Sequence, residues 1–467
     1  MEAETYDIVI VGCGMAGLAA GLRATDLDKS VVMLEKAPKK HRGGHTRFSE
    51  SFRIPTADID LDFEVEFNVE DYSASDFYSD IMKVTNYRAD PDLADRVAKD
   101  SAETFEWLTG LGIDWEYQAP HPGYTAGRVW LDGQQFVTEL FEILEDRDAT
   151  INYRAEVRDV RRDDDGQVSG VVARVNGRRT LFEGDAVILA AGDYGSSKEK
   201  RTRYYGPGYG NMKVRGSRYN TGEAVEATMD IGAKSDGEWG DAHMALIDTG
   251  SKDVEGGITR IDGYQYGVIV NHDGRRFVDE GQDSRAHTYA KFGRRIFEEP
   301  YHEAFIIVDS KTVDDVAHMG PSKPITGGSI RELAQRMGIE NVDRTVETIE
   351  AFNAACDPGE YRPNVLDGNS ATGIEPEKSN WALPIDEPPF TGYPVTGGIT
   401  FGFGGVGITK DAEVLDTADE IIPGLFGAGN ATGGLFYNNY PGGAGLTNAA
   451  VFGKIAAESA VDAIDDG

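Results

Sequence analysis

Residues 8–22 read IVIVGCGMAGLAAGL. The apolar run over residues 6–11 enters Gly12-x-Gly14-x-x-Gly17, an alanine-rich stretch covers 17–25, and residues 30–35 form a second apolar run ending in Glu35. Strand, glycine turn, helix and strand within forty residues predict a βαβ unit. In such a unit the first two glycines permit a tight turn and close approach of a diphosphate, and Gly17 lets the helix pack directly on the strand. The helix amides and dipole then hold the diphosphate. An acid at Glu35 suits ribose hydroxyls and disfavours a 2′-phosphate. FAD and NAD share this pattern.

Outward from this unit, residues 74–87 and 91–111 are amphipathic and predict two long helices. Residues 150–191 turn β-rich, with a hairpin at Asp165 and Gly166, and residues 186–192 (AVILAAG) close that segment as a strand. Glycine thins between 244 and 386, where RELAQRMGI (331–339) and VDRTVETIEAFNAAC (342–356) predict helices. Glycine-rich, strand-like sequence returns near Pro388, and residues 445–464 form a last long helix. The expectation is an α/β protein: a Rossmann-like dinucleotide-binding domain split over 1–243 and 387–467, with an inserted α+β capping domain over 244–386.

Composition narrows the function. A chain of 467 residues, 40% hydrophobic, is long enough for two domains with filled cores. Its formal charge is −34, from 80 acidic and 46 basic residues, which opposes binding to nucleic acid or anionic lipid. Only 17 basic residues are lysine, a balance like that of proteins from salt-loving organisms; a merely acidic, highly soluble surface is the other reading. Cys13 and Cys356 offer no CxxC pair for metal, haem or redox work. The acidic runs at 58–62 and 163–165 lack calcium-loop spacing, so no metal is expected. With no basic and apolar leader and no window suited to a membrane span, the expected compartment is the cytoplasm.

Four stretches carry a resemblance. APKKHRGGHTRFS (37–49), VILAAGDYGSS (187–197), RYNTGEAVEATMDIGA (218–233) and IPGLFGAGNATGGLFYNNYPGGAGLTNAAVFGKIAA (422–457) resemble the superfamily of fumarate reductases, succinate dehydrogenases and 3-ketosteroid dehydrogenases. Within it, KVRGSRYNTGEAV (213–225), GRRFVDEGQDSRAHTYAKFG (274–293) and LFYNNYPGGAGL (435–446) look most like the tricarballylate dehydrogenase-like group. The resemblance implies FAD. It places the cofactor against Gly12, Gly14, Ala16, Gly17, Glu35 and Lys36, and against Gly43, Gly44, His45 and Thr46 beneath the flavin. It adds Val157, Ala191, Gly192 and Asp193, then Gly429, Asn430, Gly445, Leu446 and Thr447. Asn430 stands where a Glu is common.

The same resemblance assigns chemistry. Phe436 and Tyr440 occupy the positions of the substrate-binding His and Arg of fumarate reductases. A dicarboxylate clamp needs fixed cations, so fumarate and succinate are not expected, and a ketone or a larger, less charged acid is favoured. Tyr440, Pro441 and Gly442, with Gly429 and Asn430, resemble 3-ketosteroid dehydrogenases, in which the tyrosine and a backbone amide polarise a carbonyl. His45 matches the histidine that carries covalent flavin in succinate dehydrogenases; a neutral His beside the dimethylbenzene edge is the alternative. Arg285 lies one residue from the proton-donor Arg of fumarate reductases, and is either that donor or a substrate or structural cation. His243 resembles a substrate-adjacent His, without its usual proline. Tyr289 and Arg53 are further pocket candidates, and the other six histidines are expected on the surface.

Three functions follow. One is a dehydrogenase that desaturates a C–C bond beside a carbonyl or carboxylate, in a tricarballylate-like acid or a cyclic, steroid-like ketone. A base takes the α proton and the β hydride passes to flavin N5. The second is an ene-reductase running the reverse reaction. The third is a non-catalytic flavin electron-transfer subunit, disfavoured by Arg285, His243 and Tyr440 in pocket-like contexts. Partners are a small-molecule substrate and a separate electron acceptor (oxygen, quinone or a redox protein), since the chain carries no haem or cluster motif.

Overall fold

The computed structural model describes residues 3–59, 71–116, 127–147 and 149–466. The opening unit is β1 (Ala3–Val11), α1 (Met15–Asp26) and β2 (Val31–Glu35). β1 and β2 pair in parallel from Ile8 opposite Val31 to Val11 opposite Leu34. Every residue of β2 is buried, as a parallel strand covered on both faces requires. Two helices follow, α2 (Ala74–Val84) and α3 (Pro91–Gly110), then α4 (Gly133–Asp146). Ser73 and Asp76 form a capping box on α2. α2 ends three residues before the amphipathic period does, because Asn86 and Tyr87 take left-handed φ values of 55° and 58°.

The strands β3 (Thr150–Tyr153), β4 (Ala155–Arg162), β5 (Val168–Val175) and β6 (Arg178–Leu189) come next. β4 and β5 form the expected hairpin, which extends from β6. A second group comprises β7 (Ser235–Asp248), β8 (Val268–Val270), α5 (Arg285–Phe297), β9 (Glu303–Val308), α6 (Ile330–Met337), α7 (Val342–Ala355) and β10 (Phe390–Val406). The chain closes with β11 (Glu413–Leu415), β12 (Ile421–Gly427) and α8 (Ala444–Asp466).

The first sheet runs β11–β12–β6–β1–β2–β3, with the β4–β5 hairpin off β6. Both ends of the chain therefore build it, since β12 lies parallel to β6. α8 packs along α1 so closely that a Cβ on Gly453 would sit 2.3 Å from the Ala16 carbonyl oxygen. The second sheet runs β7–β10–β9–β8. Val268, Phe305 and Ile307 of that sheet share a separate apolar cluster with Leu333, Ile349 and Phe352 of α6 and α7. Residue 243 falls within β7, and residue 387 lies just before β10. Among the described residues no helix is long and apolar enough to cross a membrane, and no group of His, Cys, Asp and Glu is placed to hold a metal. The acidic run at 58–62 lies partly outside the described residues.

Candidate active site

One elongated cavity of about 1410 Å³, open to solvent, runs from the glycine turn of the first unit to the β7–β10 strand pair. At one end the wall is mostly backbone. Gly12 has φ +103°, and a Cβ there would lie 2.4 Å from the Ala190 carbonyl oxygen of the crossing segment after β6. A Cβ on Gly17 would lie 2.0 Å from the Gly12 carbonyl oxygen. Only glycine satisfies both approaches, so the turn is held open for a ligand while α1 stays against β1. The first amide of α1, Met15 N–H, donates to Thr46 Oγ1 at 2.8 Å, which ties the 43–46 loop to the helix start.

Glu35 is 5% exposed on the cavity wall and accepts from Ala37 N–H at 2.7 Å. Burial pushes its carboxyl from 4.5 up to about 7, against the pull of the amides of Ala37, Gly43 and Cys13. A carboxyl on the cavity wall at the end of β2 fits the ribose hydroxyls of a dinucleotide. Lys36, also on the wall, is held by Glu223 at 2.8 Å, by Glu156 at 3.4 Å and by Thr221. Cys13 is buried in the turn, and burial pushes its thiol up, so it is inert.

Of the residues expected to hold cofactor, the cavity wall contains Gly12, Gly14, Ala16, Glu35, Lys36, Gly44, His45, Thr46, Val157, Ala191, Gly192, Gly429, Asn430, Gly445 and Leu446. Gly17, Gly43, Asp193 and Thr447 lie behind it. Asp193 is buried, accepts from Asn220 at 3.3 Å and also from the Gly402 amide, and burial raises its carboxyl. Thr447 Oγ1 accepts from Arg53 N–H and donates to Arg53 carbonyl, both at 2.9 Å. These residues shape the cradle rather than face it. His45 is half-buried and packs against Gly216, with both ring nitrogens shielded from solvent. Burial lowers its pKa, Asp193 opposes that, and Arg215 adds to it.

The opposite end of the cavity is built from side chains. β7 and β10 slip register between His243 and Met244, a bulge of the kind that re-aims a side chain. His243 is 2% exposed, on the wall, with ring centroids of Tyr440 at 4.6 Å, Tyr289 at 5.0 Å and Phe401 at 5.3 Å. Burial drives its pKa well below the usual value, and Arg215, Arg260 and Arg285 push the same way, so His243 is neutral. The Tyr289 and Tyr440 hydroxyls hydrogen-bond to each other. Burial, with Tyr289 adding to it, raises Tyr440 well above the ordinary phenol range.

Arg285 is buried one layer back. Both carboxylate oxygens of Asp262 hold it, each at 2.9 Å, and its guanidinium sits 4.0 Å from the Tyr289 ring centroid. Arg53 is fully buried and staples Gly442 carbonyl (2.8 Å), Tyr72 (2.7 Å) and Asp80 (3.1 Å) together, off the wall. Phe436 and Tyr440 bring no cation, yet this end of the cavity does hold guanidinium groups. Arg215 and Arg260 both line it. Arg215 stands in the quoted KVRGSRYNTGEAV and Arg260 in no motif, and only folding shows that they converge on His243. Glu50 and Thr400 on the same wall were equally silent in sequence.

The six remaining histidines do not all lie on the surface. His287 is wedged between Asp80 at 3.3 Å and Asp283 at 3.4 Å, and His318 Nε2 donates to buried Asp248 at 2.8 Å. His272 is also largely covered, His302 is exposed, and His121 lies outside the described residues. Half-burial of these rings follows from acidic neighbours that no linear spacing displays.

A family model described as the FAD binding domain matches residues 7–446, across both sheets and all of the cavity wall but Ala449. This chain belongs to that family. It is an FAD-dependent oxidoreductase with the fumarate reductase-type fold. The probable fumarate reductase of Shewanella frigidimarina is 28% identical over 98% of this chain and 75% of its own length. The vinyl phenol reductase of Lactiplantibacillus plantarum is 25% identical over 94% of this chain and 92% of its own. Among solved structures, 3-ketosteroid Δ1-dehydrogenase from Sterolibacterium denitrificans has a TM-score of 0.75 at 21% identity, covering 98% of this chain and 100% of that one. The open form of a flavocytochrome c3 fumarate reductase has a TM-score of 0.73 at 24% identity, covering 99% and 79%.

Proposed function

We propose that this flavoprotein interconverts an α,β-unsaturated carboxylate and its saturated counterpart, with reduction of the double bond as its working direction. One observation carries the reading: Arg215, a buried guanidinium on the cavity wall beside His243 and the tyrosine pair. A cation fixed in a low-dielectric wall discriminates strongly for an anion. The names of relatives favour reduction: fumarate reductase, vinyl phenol reductase and the urocanate reductase of Eggerthella lenta. FAD in the cradle supplies the two-electron chemistry. The segments 1–243 and 387–467 hold it, and 244–386 acts as the cap that keeps water from the reacting carbons.

Within this reading Arg215 anchors the carboxylate. Neutral His243 gives or takes a hydrogen bond without adding charge. Tyr440 exchanges a proton at the substrate's α carbon through its hydroxyl contact with Tyr289. Arg285 acts through Tyr289, whose ring it supports, and is therefore a positioning residue. The tyrosine pair also favours a second reading, desaturation of a cyclic ketone whose carbonyl it would polarise.

The test is anaerobic. Reduced holoenzyme is mixed with fumarate, urocanate or cinnamate and the return of oxidised-flavin absorbance is followed; oxidised enzyme is mixed with a 3-ketosteroid in parallel. Reoxidation by an enoate, slowed roughly 10²-fold or more in Tyr440→Phe, supports the proposal. Bleaching by the steroid alone would replace it with the second reading, and silence in both arms would leave an electron-transfer subunit.

A further inference from the structure

We infer that the substrate is a monocarboxylate with a neutral, apolar body, and that Arg215 is the cation that receives its carboxylate. The inference rests on the proposed function and narrows it. Arg215 is 5% exposed, and its hydrogen bonds go to neutral acceptors: Nε to the Gly257 carbonyl at 3.2 Å and a terminal nitrogen to Thr400 Oγ1 at 2.8 Å. It makes no ion pair among the described residues. Its pKa falls to about 10, chiefly through burial and then through Arg260, with Glu50 opposing from beyond ion-pair distance. A buried charge held only by neutral groups is costly until an anion arrives.

The neighbouring cations are already matched. Arg260 is bound by Glu50 at 2.5 Å and by Asp262 at 3.2 Å, and Arg285 by both oxygens of Asp262. Lys36, at the nucleotide end, has Glu223 and Glu156. Glu50 is itself on the cavity wall, where it repels a second carboxylate. What remains around Arg215 is neutral or aromatic: His243, Tyr289, Tyr440, Phe401 and Thr400. One carboxylate meets Arg215; a second meets Glu50 or a phenyl ring.

Four probes, titrated into oxidised holoenzyme and read as perturbation of the flavin spectrum, test this: 3-phenylpropanoate, its primary amide, succinate and tricarballylate. The monocarboxylate is expected to bind about 10- to 100-fold tighter than its amide, as a charge-assisted hydrogen bond in a buried site provides. It should bind at least ~10-fold tighter than succinate or tricarballylate. Arg215→Gln should erase the acid-over-amide preference while leaving amide affinity and flavin content unchanged; Arg215→Lys should restore part of it. Succinate or tricarballylate binding as tightly as the monocarboxylate would overturn the inference and leave the anionic-substrate reading standing. An amide that binds better than the acid, or no perturbation by any probe, would overturn both. If Arg215→Gln loses flavin, the wild-type ranking of the four probes decides alone.

Discussion

The two ends of the cavity are built on opposite principles. The nucleotide end is a matter of backbone: Gly12 and Gly17 are there because a Cβ would strike carbonyl oxygens at 2.4 and 2.0 Å. The substrate end is a matter of side chains drawn from remote segments: Arg215, His243 on a bulge in β7, Arg260, Tyr289 on α5 and Tyr440 before α8. The first tolerates almost no substitution and carries little specificity. On the proposed function, the second decides what is bound. Binding a cofactor common to many enzymes calls for a rigid cradle; choosing a substrate calls for an adjustable one.

The comparison is tested hardest at Gly17. Gly17→Val places branched carbon atoms on the Gly12 carbonyl, in a core with no room to yield, and overpacking at such a site costs ~3 kcal/mol or more. The expected outcome is protein purified without flavin or in aggregates, seen in the visible spectrum; a soluble, yellow Gly17→Val enzyme would mean the cradle is softer than its geometry.

A smaller effect is expected beneath the substrate end. Burial works against a charged His287, but hydrogen bonds to Asp283 and Asp80 prevail and raise its pKa. Asp80 correspondingly sits at about 2: its own burial opposes this, and His287 and Arg53 outweigh it. The His287 carbonyl also receives Asn439 Nδ2 at 2.5 Å, beside Tyr440. A raised imidazole stabilises fully below its unfolded pKa of 6.5 and loses that contribution as pH rises through its folded pKa. His287→Asn should therefore cost about 2 kcal/mol in denaturant melts near pH 6 and less near pH 9. A pH-independent loss would point to packing instead.

Glu35 sharpens the contrast from the cradle side, as a buried acid on its wall. With the carboxyl at about 7 in the fold against 4.5 free, the flavin-free protein loses stability as pH rises from 4.5 through 7. Ribose hydroxyls donating to the ionised form reverse this, so FAD affinity should climb over that range. Glu35→Gln is expected to weaken FAD about 10-fold near pH 8 and hardly at all near pH 5.5, by equilibrium titration of apoprotein. Equal weakening at both would mean that charge is irrelevant there.

The mildest test uses the same residue type as the most severe. Gly166, in the β4–β5 hairpin, has φ +89° and nothing within 4 Å of a Cβ. Gly166→Ala should cost only about 1 kcal/mol, through backbone strain, with flavin content unchanged. A larger loss would show that the hairpin bears on the cradle.

The first βαβ unit, the hairpin, the two helices after residue 330 and the last helix were legible because each follows from a local period or turn. α2 was read three residues too long because two left-handed residues interrupt a period that composition continues. Fifteen of the cofactor positions reached the cavity wall, since the glycine-rich segments that carry them have one conformational use. The substrate end was half legible. His243 and Tyr440 were named, while Arg215, Arg260 and Glu50 were not, and Phe436 with Tyr440 pointed to a ketone or a larger, less charged acid. An arginine on one segment says nothing about which acids on others will neutralise it.

The sequence by itself determined the dinucleotide turn, the FAD-binding family and the completion of the first sheet from both ends, because these depend on backbone reach and on glycine at fixed spacing. The tertiary structure alone decided which guanidinium keeps its charge open to the cavity. Asp262 and Glu50 come to Arg260 and Arg285 but not to Arg215, and in a buried wall the distance between charges, not their number in the chain, sets the field a substrate meets.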